Sequence, residues 1–197
     1  MSIELLGRKR VSPQESRAAA LGAARELLKA EGAAAVTLQS VARKIGRTHA
    51  NVLHHFGSAA GLQRALAEDI AHTVAASIEG AIEQRRQGQA TERHVIDAMF
   101  DAFRREGAGE LIGWIALTRQ REALEPVIQT IDRIVRLMRA AGDERPVDRM
   151  TLGLTLLAIG DSLVGEEVAR ACTLPRETVR EVAVAQIEAL AGEALRD

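Results

Sequence analysis

The chain contains few of the residues on which disulfide-rich, membrane-spanning and aromatic-rich proteins depend. It has one cysteine, Cys172, no tyrosine, and an aromatic content of 2% over 197 residues. A single cysteine excludes an internal disulfide framework and is typical of a reducing compartment. No apolar run approaches ~20 residues, so we expect no transmembrane helix. Residues 1–16 lack the apolar stretch of a secretory signal, and we therefore expect a cytoplasmic protein.

The usual signs of catalysis and of metal binding are also missing. The sequence shows no nucleophile–base pair, no phosphate-binding loop and no set of metal ligands at a recognised spacing. His54 and His55 are adjacent, but neighbouring residues on a helix point about 100° apart and cannot hold one ion together. We therefore expect neither an enzyme nor a protein that carries a metal or a cofactor.

What is present is the composition of a folded protein with an uneven distribution of charge. Hydrophobic residues make up 47% of the chain and charged residues 27%. The net charge is −1, but residues 1–56 carry a surplus of five positive charges and residues 57–197 a surplus of six negative ones. A basic N-terminal part on an acidic remainder is typical of a DNA-binding module joined to a second module. Chance clustering of charge is the alternative.

The hydrophobic periodicity predicts an all-α fold of about nine helices. Ser12 with Glu15 marks a helix start, and residues such as Gly32, Gly88 and Pro146 mark helix ends or starts. No segment alternates apolar and polar residues as a strand would. The predicted helices cover about 12–31, 38–45, 49–55, 58–87, 91–105, 111–117, 126–142, 146–171 and 175–195, with a turn at 107–109.

The most specific pattern lies at residues 36–62, which read VTLQSVARKIGRTHANVLHHFGSAAGL. A first short helix gains an apolar face from residues at helical spacing, namely Leu38, Val41, Ala42 and Ile45. Gly46 then supplies the turn, and Thr48 can cap a second helix that packs back through Val52. The exposed face of this second helix would carry polar side chains able to reach base edges in a major groove, namely His49, Asn51 and His54.

This segment resembles the DNA-binding domain of the tetracycline-repressor (TetR) family of transcriptional regulators. The resemblance rests on Thr37, the VARKIG run at 41–46, Thr48, the HHFGS block at 54–58 and Leu62. In that family an HHF-x-S block closes the recognition helix, and its serine starts a long linking helix. The resemblance implies a helix-turn-helix DNA-binding domain at 1–57 and an effector-binding and dimerisation domain at 58–197.

The resemblance and the basic charge together imply a set of contacts with DNA. The candidate residues are Thr37, Arg43, Lys44, Arg47, Thr48, His49, Ala50, Asn51, Leu53, His54, Ser58 and a basic arm of Arg8, Lys9 and Arg10. Leu53 and Ala59 stand where the family usually has a tyrosine and a lysine that contact phosphates, which supply much of the affinity. Arg47 replaces an aliphatic residue and could offset this loss. The alternative to a DNA-binding regulator is therefore a ligand-binding or protein-interaction module with a degenerate head.

The eighth predicted helix is apolar almost all round from 151 to 164, which indicates burial on more than one side. In the family, the eighth and ninth helices form a four-helix dimer interface. The candidate interface residues are Gly153, Leu157, Gly160 and Val164 on the eighth helix and Val179, Val182 and Gln186 on the ninth. A central core helix in a monomer is the alternative. Two-fold symmetry favours the dimer, because one short recognition helix gives little specificity.

Family members line an effector cavity in the part of the chain that follows the head. The candidate ligand-binding residues here are His94, Met99, Phe103, Trp114, Thr118, Thr155 and Asp161, with ordinary core packing as the alternative for the large side chains. Asp161 could instead lie at the dimer axis or cap a neighbouring helix. Because aromatic residues are so few, the cavity walls should be aliphatic. The guest should then be apolar or amphipathic, and cationic if Asp161 faces it.

Together these patterns predict a homodimeric transcriptional regulator, most simply a repressor. It would bind a palindromic double-stranded DNA operator and release it when a small molecule enters the body and tilts the fourth helix. Activation rather than repression would fit the same sequence.

Overall fold

The computed structural model describes residues 12–194, and the backbone of these residues is all-α, as predicted. The α-helices of this part of the chain are α1 (Pro13–Glu31), α2 (Leu38–Lys44), α3 (His49–Phe56), α4 (Ala59–Arg86), α5 (Glu92–Glu106), α6 (Ala108–Leu117), α7 (Glu125–Ala140), α8 (Val147–Ala171) and α9 (Thr178–Ala194). Two short 3-10 turns lie at Ala33–Ala35 and Arg121–Leu124, and no strand occurs between residues 12 and 194. The predicted basic arm, Arg8, Lys9 and Arg10, lies outside the described residues.

Hydroxyl side chains start the first five helices. The Ser12 hydroxyl accepts a hydrogen bond from the Glu15 N–H (3.1 Å), and the Glu15 carboxylate accepts one from the Ser12 N–H (2.7 Å). The same kind of cap, through the N–H three residues later, starts α2, α3, α4 and α5 at Thr37, Thr48, Ser58 and Thr91. Each cap contributes about 1 kcal/mol to helix stability. The predicted helix starts at Ser12, Thr48 and Ser58 are therefore confirmed.

The start of α6 differs from the prediction. The sequence predicts a turn at 107–109, but only Gly107 has left-handed backbone (φ 70°, ψ 21°), and α6 begins at Ala108. Gly109 is instead a packing position, since a Cβ atom there would lie 1.6 Å from Ser162 Oγ on α8. The prediction was wrong because a contact between distant helices leaves no local signal in the sequence. The chain also turns through left-handed backbone at Thr173 (φ 58°), and α9 begins at Thr178 rather than at 175.

We call α1 to α3 the head and α4 to α9 the body, and the hydrophobic core runs unbroken from one to the other. Val41 on α2 and Val52 on α3 are completely buried, and Leu62 and Leu66 from the start of α4 fill the same core. α4 therefore belongs to both units. Its 28 residues extend for about 42 Å, from the Ser58 cap in the head into the body.

In the body, α4 packs on α5 and α7, while α8 packs on α5, α6 and α9. The largest side chains of this core, Phe100 on α5 with Leu111 and Ile115 on α6, are almost completely enclosed. Burial of each stabilises the fold by roughly 1.5–3 kcal/mol. None of the helices between residues 12 and 194 is long and apolar enough to cross a membrane.

Arg180 attaches α9 to α5. Its guanidinium donates hydrogen bonds to Asp97 Oδ1 (3.0 Å) and Asp101 Oδ1 (2.6 Å) and lies 5.6 Å from the centroid of the Phe100 ring. Burial acts to raise the pKa of Asp101, but the hydrogen bond and positive charge of Arg180 outweigh it and hold that pKa below its usual value. The Asp101 carboxylate is therefore ionised and paired in the folded protein.

Polar contacts join the head to three helices of the body. Arg25 on α1 donates to Asp69 on α4 (Nη2–Oδ2 2.7 Å) and also pairs with Glu106 on α5. Glu110 at the start of α6 accepts a hydrogen bond from the Ala33 N–H at 2.9 Å. Since α4, α5 and α6 each hold the head, a displacement of any of them must move the head or break one of these contacts.

Candidate DNA-binding surface and effector cavity

The exposed side of α3 is formed by His49, Ala50, Leu53 and His54. Arg47 and Thr48, in the turn before α3, are exposed as well. Gly46 makes this turn possible with left-handed backbone (φ 64°). The result is a short helix that presents imidazole groups, small side chains and one leucine to solvent, next to a cationic turn.

Asn51 does not lie on this exposed side, contrary to the prediction. Its side chain is half-buried, and its Oδ1 atom is enclosed without a hydrogen-bond partner among the described residues. Each residue of an α-helix is rotated by 100° from the one before. Because Val52 points into the core, position 51 falls at the edge of the exposed stripe. His49 and His54 keep the exposure that the sequence predicts.

The end of α3 is tied to α1 by side-chain contacts. His55 Nε2 lies 3.2 Å from Ser16 Oγ, and the guanidinium carbon of Arg17 lies 5.3 Å from the centroid of the Phe56 ring. The two adjacent histidines therefore differ, since His54 faces solvent and His55 is a half-buried contact inside the head. Across residues 12–194, no three His, Cys, Asp or Glu side chains come together in a way that could hold a metal ion.

Further candidate contacts with phosphate lie on α2 and at the start of α4. Arg43 is exposed, and Lys44 pairs with Glu26 (Nζ–Oε2 3.0 Å). Ser58 accepts a hydrogen bond from the Gly61 N–H at 2.9 Å, and the first two residues of α4, Ala59 and Ala60, are exposed. Free N–H groups at a helix start attract phosphate. Thr37 accepts a hydrogen bond from the Ser40 N–H (3.1 Å) in capping α2.

An apolar cavity of about 90 Å³ lies in the body between α4, α5, α6, α7 and α8. Most of its wall is aliphatic, with Ile70, Val74 and Ile78 from α4 and Ile131 and Ile134 from α7. Met99 and Phe103 on α5 and Thr155 on α8, which are predicted ligand-binding residues, also line it.

The structure does not bring the other predicted ligand-binding residues to the cavity. His94 is exposed near the start of α5, where the helix turns it outward. Thr118 is exposed after α6, and its hydroxyl donates to the Trp114 carbonyl (2.8 Å). Trp114 is half-buried on α6 and does not line the cavity, and its Nε1 atom is enclosed with no partner among the described residues.

Asp161 is also absent from the cavity, because it holds the connection between α8 and α9. Arg176 Nε lies 3.2 Å from Asp161 Oδ1, and Arg176 Nη2 donates to the Asp161 carbonyl at 2.9 Å. Gly165 leaves room for this pair, since a Cβ atom there would lie 2.2 Å from Asp161 Oδ1. Asp161 is buried and ion-paired, so the condition for a cationic guest, an aspartate facing the cavity, is not met.

Four charged side chains meet at the end of the cavity where α4 finishes. Arg85 donates to Glu92 Oε2 (2.7 Å) and lies 3.4 Å from Asp143 Oδ2, and Arg145 donates to Glu92 Oε2 (3.0 Å) and Asp143 Oδ2 (2.6 Å). The hydrogen bond from Arg145 lowers the pKa of Asp143 more than burial raises it. We call these residues the charged quartet. They come from α4, α5 and the segment before α8, so no local motif in the sequence points to them.

A second cavity, open to solvent and about 720 Å³ in volume, adjoins the charged quartet. Its wall is rich in charged groups, including Glu79, Glu83 and Arg86. The two cavities share wall residues, namely Ile82, Arg85, Ile134, Met138 and Arg145. The quartet therefore stands between the apolar cavity and an opening to solvent.

A row of aliphatic side chains is exposed on α8 and α9. The exposed fractions are 63% for Leu152, 61% for Leu156, 51% for Val164, 54% for Val168 and 54% for Val182. Among the predicted interface residues, Val164, Val182 and Gln186 are exposed, whereas the half-buried ones are Gly153, Leu157, Gly160 and Val179. Leu152, Leu156 and Val168 were missed because the sequence alone does not tell which side of an all-apolar helix is covered.

The helix-turn-helix segment and the overall fold are both similar to those of known proteins. Residues 20–66 match the profile of the family described as bacterial regulatory proteins, tetR family. The multidrug binding protein EbrR, crystallised with imidazole, has a TM-score of 0.64 at 14% identity over 88% of this chain and 95% of that chain. A protein from Rhodococcus sp. described as a TetR-family transcriptional regulator has a TM-score of 0.63 at 17% identity, over 90% of this chain and 99% of that one.

A protein of unknown function from Rhodococcus sp. RHA1 is also similar, with a TM-score of 0.63 at 23% identity over 94% of this chain and 99% of that chain. No curated protein sequence matches the chain at a significant level. The profile match covers the helix-turn-helix, and the structural matches extend the shared fold over the body. Residues 20–66 therefore carry a domain of the kind found in the tetR family of bacterial regulatory proteins, and the described chain shares its all-α fold with the solved structures.

Proposed function

We propose that the protein is a homodimeric transcriptional repressor. It binds a palindromic operator through its two heads and releases it when a small apolar or amphipathic molecule enters the cavity. The observation that carries the proposal is that one helix, α4, both completes the core of the head and lines the apolar cavity, through Leu62 and Ile78 respectively. The exposed face of α3, with the cationic turn at Arg47, is the surface that meets DNA.

The proposal of a dimer rests on the exposed face of α8 and α9. Leu152, Leu156, Val164 and Val168 are separated by one or two helical turns, so they share one side of α8 and form a single stripe rather than scattered exposure. Val182 on the neighbouring helix widens it. Contiguous apolar surface of this kind marks an interaction site. A second copy related by a two-fold axis would cover the stripe and would set two recognition helices to face successive major grooves.

The proposed release follows from the size of the cavity. Drug-sized ligands occupy pockets of roughly 300–1,000 Å³, so a cavity of about 90 Å³ must widen to admit one. Widening displaces α4, and the head moves with it, because Arg25 holds Asp69 on that helix. A small rotation of each head then separates the recognition helices from the half-site spacing of about 34–36 Å.

Two side chains on the candidate DNA-binding surface favour the alternative, in which the head has lost DNA binding. Leu53 is 37% exposed on the α3 face and Ala59 is exposed at the start of α4, so neither side chain offers a hydrogen bond or a charge to phosphate. If these losses dominate, the body binds its ligand or partner without DNA. Weak retention on heparin and on random DNA at low salt would support this second function.

The test is to select fragments of the source genome with the purified protein and to measure their binding by fluorescence anisotropy. We expect enrichment of inverted repeats, affinity that falls steeply with salt concentration, and two chains per fragment. Selected fragments without a shared inverted repeat would refute the repressor. A single chain bound at saturation would refute the dimer.

A further inference from the structure

The apolar cavity is long as well as small. The residues of α4 that line it form one stripe along the helix, namely Ala67, Ile70, Ala71, Val74, Ile78, Ile82 and Arg85. At 1.5 Å per residue, this stripe extends for about 27 Å. A volume of about 90 Å³ beside so long a wall suits a slender guest, because a flexible chain requires less widening than a ring system of equal mass.

The charge on the cavity wall is confined to one end. Arg85, Glu92 and Arg145 are the charged residues among those that line the cavity, and Asp143 lines only the open cavity beyond. The end of the apolar cavity therefore presents two guanidinium groups and one carboxylate. Both guanidinium groups meet on the same oxygen, Glu92 Oε2, at 2.7 Å and 3.0 Å.

We propose, as an extension of the function proposed above, that the effector is an aliphatic chain ending in a carboxylate. The chain lies along α4, and its carboxylate replaces that of Glu92 between Arg85 and Arg145. Guanidinium groups bind carboxylates through paired, charge-assisted hydrogen bonds, so the replacement conserves the contacts that the arginines already make. Glu92 is the first residue of α5 and its side chain is already 24% exposed, so the displaced side chain can turn to solvent.

A cationic head group fits this end poorly. It would pair with Glu92 and separate that carboxylate from Arg85 and Arg145, which would leave Asp143 as the one carboxylate of the quartet for two half-buried guanidinium groups. Loss of a partner from a half-buried ion pair is costly. The acidic residues of the open cavity do not reverse this preference, because most carry their own cations. Glu79 pairs with Arg133 (3.0 Å), and Glu83 pairs with Arg86 (3.1 Å).

Binding of this kind would also release α4. In the closed quartet, Arg85 in the last turn of α4 is held both to Glu92 on α5 and to Asp143 before α8. A ligand carboxylate that takes over Arg85 removes the contact with Glu92, which is the shorter of the two. The C-terminal end of α4 then keeps only the longer contact, with Asp143, and is held less firmly while the chain widens the cavity along the same helix.

The experiment uses the full-length protein and three probes of equal length, octanoate, octylammonium and octanol, with binding measured by isothermal titration calorimetry. We expect octanoate to bind most tightly. Each methylene from hexanoate to octanoate should strengthen binding about four-fold, because burial of one CH₂ contributes about 0.8 kcal/mol. Octylammonium binding as tightly as octanoate would overturn the proposal, and so would an affinity independent of chain length.

Substitutions in the quartet give effects of opposite sign. Arg85→Gln should weaken octanoate binding about 10- to 100-fold, the value of a hydrogen bond to a charged group, and Arg85→Lys should restore part of it. Glu92→Gln should strengthen binding several-fold, because the ligand no longer competes with a carboxylate. Arg86→Gln is the matched control, since Arg86 is the next residue of α4 and lines only the open cavity. Equal weakening by Arg85→Gln and Glu92→Gln would show that the quartet only maintains the fold and would refute the proposal.

Release of DNA is measured separately, so the two proposals can fail independently. If octanoate binds with this pattern but does not release the protein from its selected DNA fragment, the proposed ligand class is supported and the proposed repressor mechanism is refuted. Should other small molecules release the fragment while octanoate neither binds nor releases it, the repressor would stand and the carboxylate-ended chain would fall.

Discussion

Replacement of Gly109 by alanine tests how closely α6 packs on α8. A Cβ atom at this position would lie 1.6 Å from Ser162 Oγ and 2.8 Å from Ser162 Cβ. The hydroxyl can rotate, but the Cβ atom of Ser162 is fixed to the backbone of α8, so the two helices must separate. Overpacking costs about 1–3 kcal/mol, and alanine in place of a helical glycine returns about 1 kcal/mol. We therefore expect Gly109→Ala to lower the free energy of unfolding by up to about 2 kcal/mol.

Gly80 provides a matched control for this substitution. It is an exposed glycine within α4, and a Cβ atom there would meet nothing within 4 Å. Gly80→Ala should raise the free energy of unfolding by about 0.5–1 kcal/mol through helix propensity alone. The two variants should then differ by up to about 3 kcal/mol, or about 6–12 °C in Tm for a chain of this length.

The assay is urea unfolding followed by far-UV circular dichroism, at one protein concentration for all variants. Ser162→Gly removes both atoms that the new methyl group would meet, so Gly109→Ala should cost far less in that background. The double-mutant cycle should give a coupling energy of about 2 kcal/mol. Equal stability of Gly109→Ala and Gly80→Ala, or simple additivity with Ser162→Gly, would refute the close crossing of α6 and α8.

Three further predictions concern assembly, DNA and acid stability. Leu156→Glu should convert the dimer into monomers in sedimentation velocity, whereas Leu117→Glu, at an exposed leucine on α6, should leave the dimer intact. Arg47→Gln should weaken binding to selected and random DNA alike and reduce the salt slope by about 1, while Arg121→Gln in the body should change neither. Because the pKa of Asp101 is lowered from its ordinary value of 3.8, its stabilising contribution is complete above that pH and is lost as the pH falls through the folded-state value. The difference in urea stability between wild type and Asp101→Asn should therefore shrink below about pH 4, and a constant difference would contradict the ion pair.

The parts of the fold that local chemistry controls could be predicted from the sequence. Ser12 and Ser58 form their caps with residues three positions away, so both partners of each cap are close together in the sequence. Gly46 and Val52 likewise specify the turn and the packing of α3 over a short stretch. The start of α6 was predicted wrongly because Gly109 is a packing position that leaves room for Ser162, a residue far along the chain.

The residues of the candidate sites also divide into those that a local sequence pattern predicts and those that depend on contacts between distant residues. Met99 and Phe103, which were ligand-binding candidates with core packing as the alternative, line the cavity, since large apolar residues at helical spacing face the interior. The surroundings of Asp161 were harder to predict, because the direction in which a buried carboxylate points depends on its ion-pair partner. That partner, Arg176, lies beyond the end of α8. The charged quartet could not be predicted at all. Arg85 and Arg145 are brought together only by the packing of α4 against the segment before α8.

Three consecutive residues of α6 face three different partners. Gly109 lies against Ser162 on α8, Glu110 accepts a hydrogen bond from the Ala33 N–H in the head, and Leu111 lines the apolar cavity. Successive residues of a helix project about 100° apart, so a single turn can reach all three. A guest that pushes on Leu111 therefore moves the same turn that holds the head and rests on α8. Because Gly109 leaves that turn no space to slide over α8, widening of the cavity at Leu111 must either change the orientation of the head relative to α8 or break the hydrogen bond between Ala33 and Glu110.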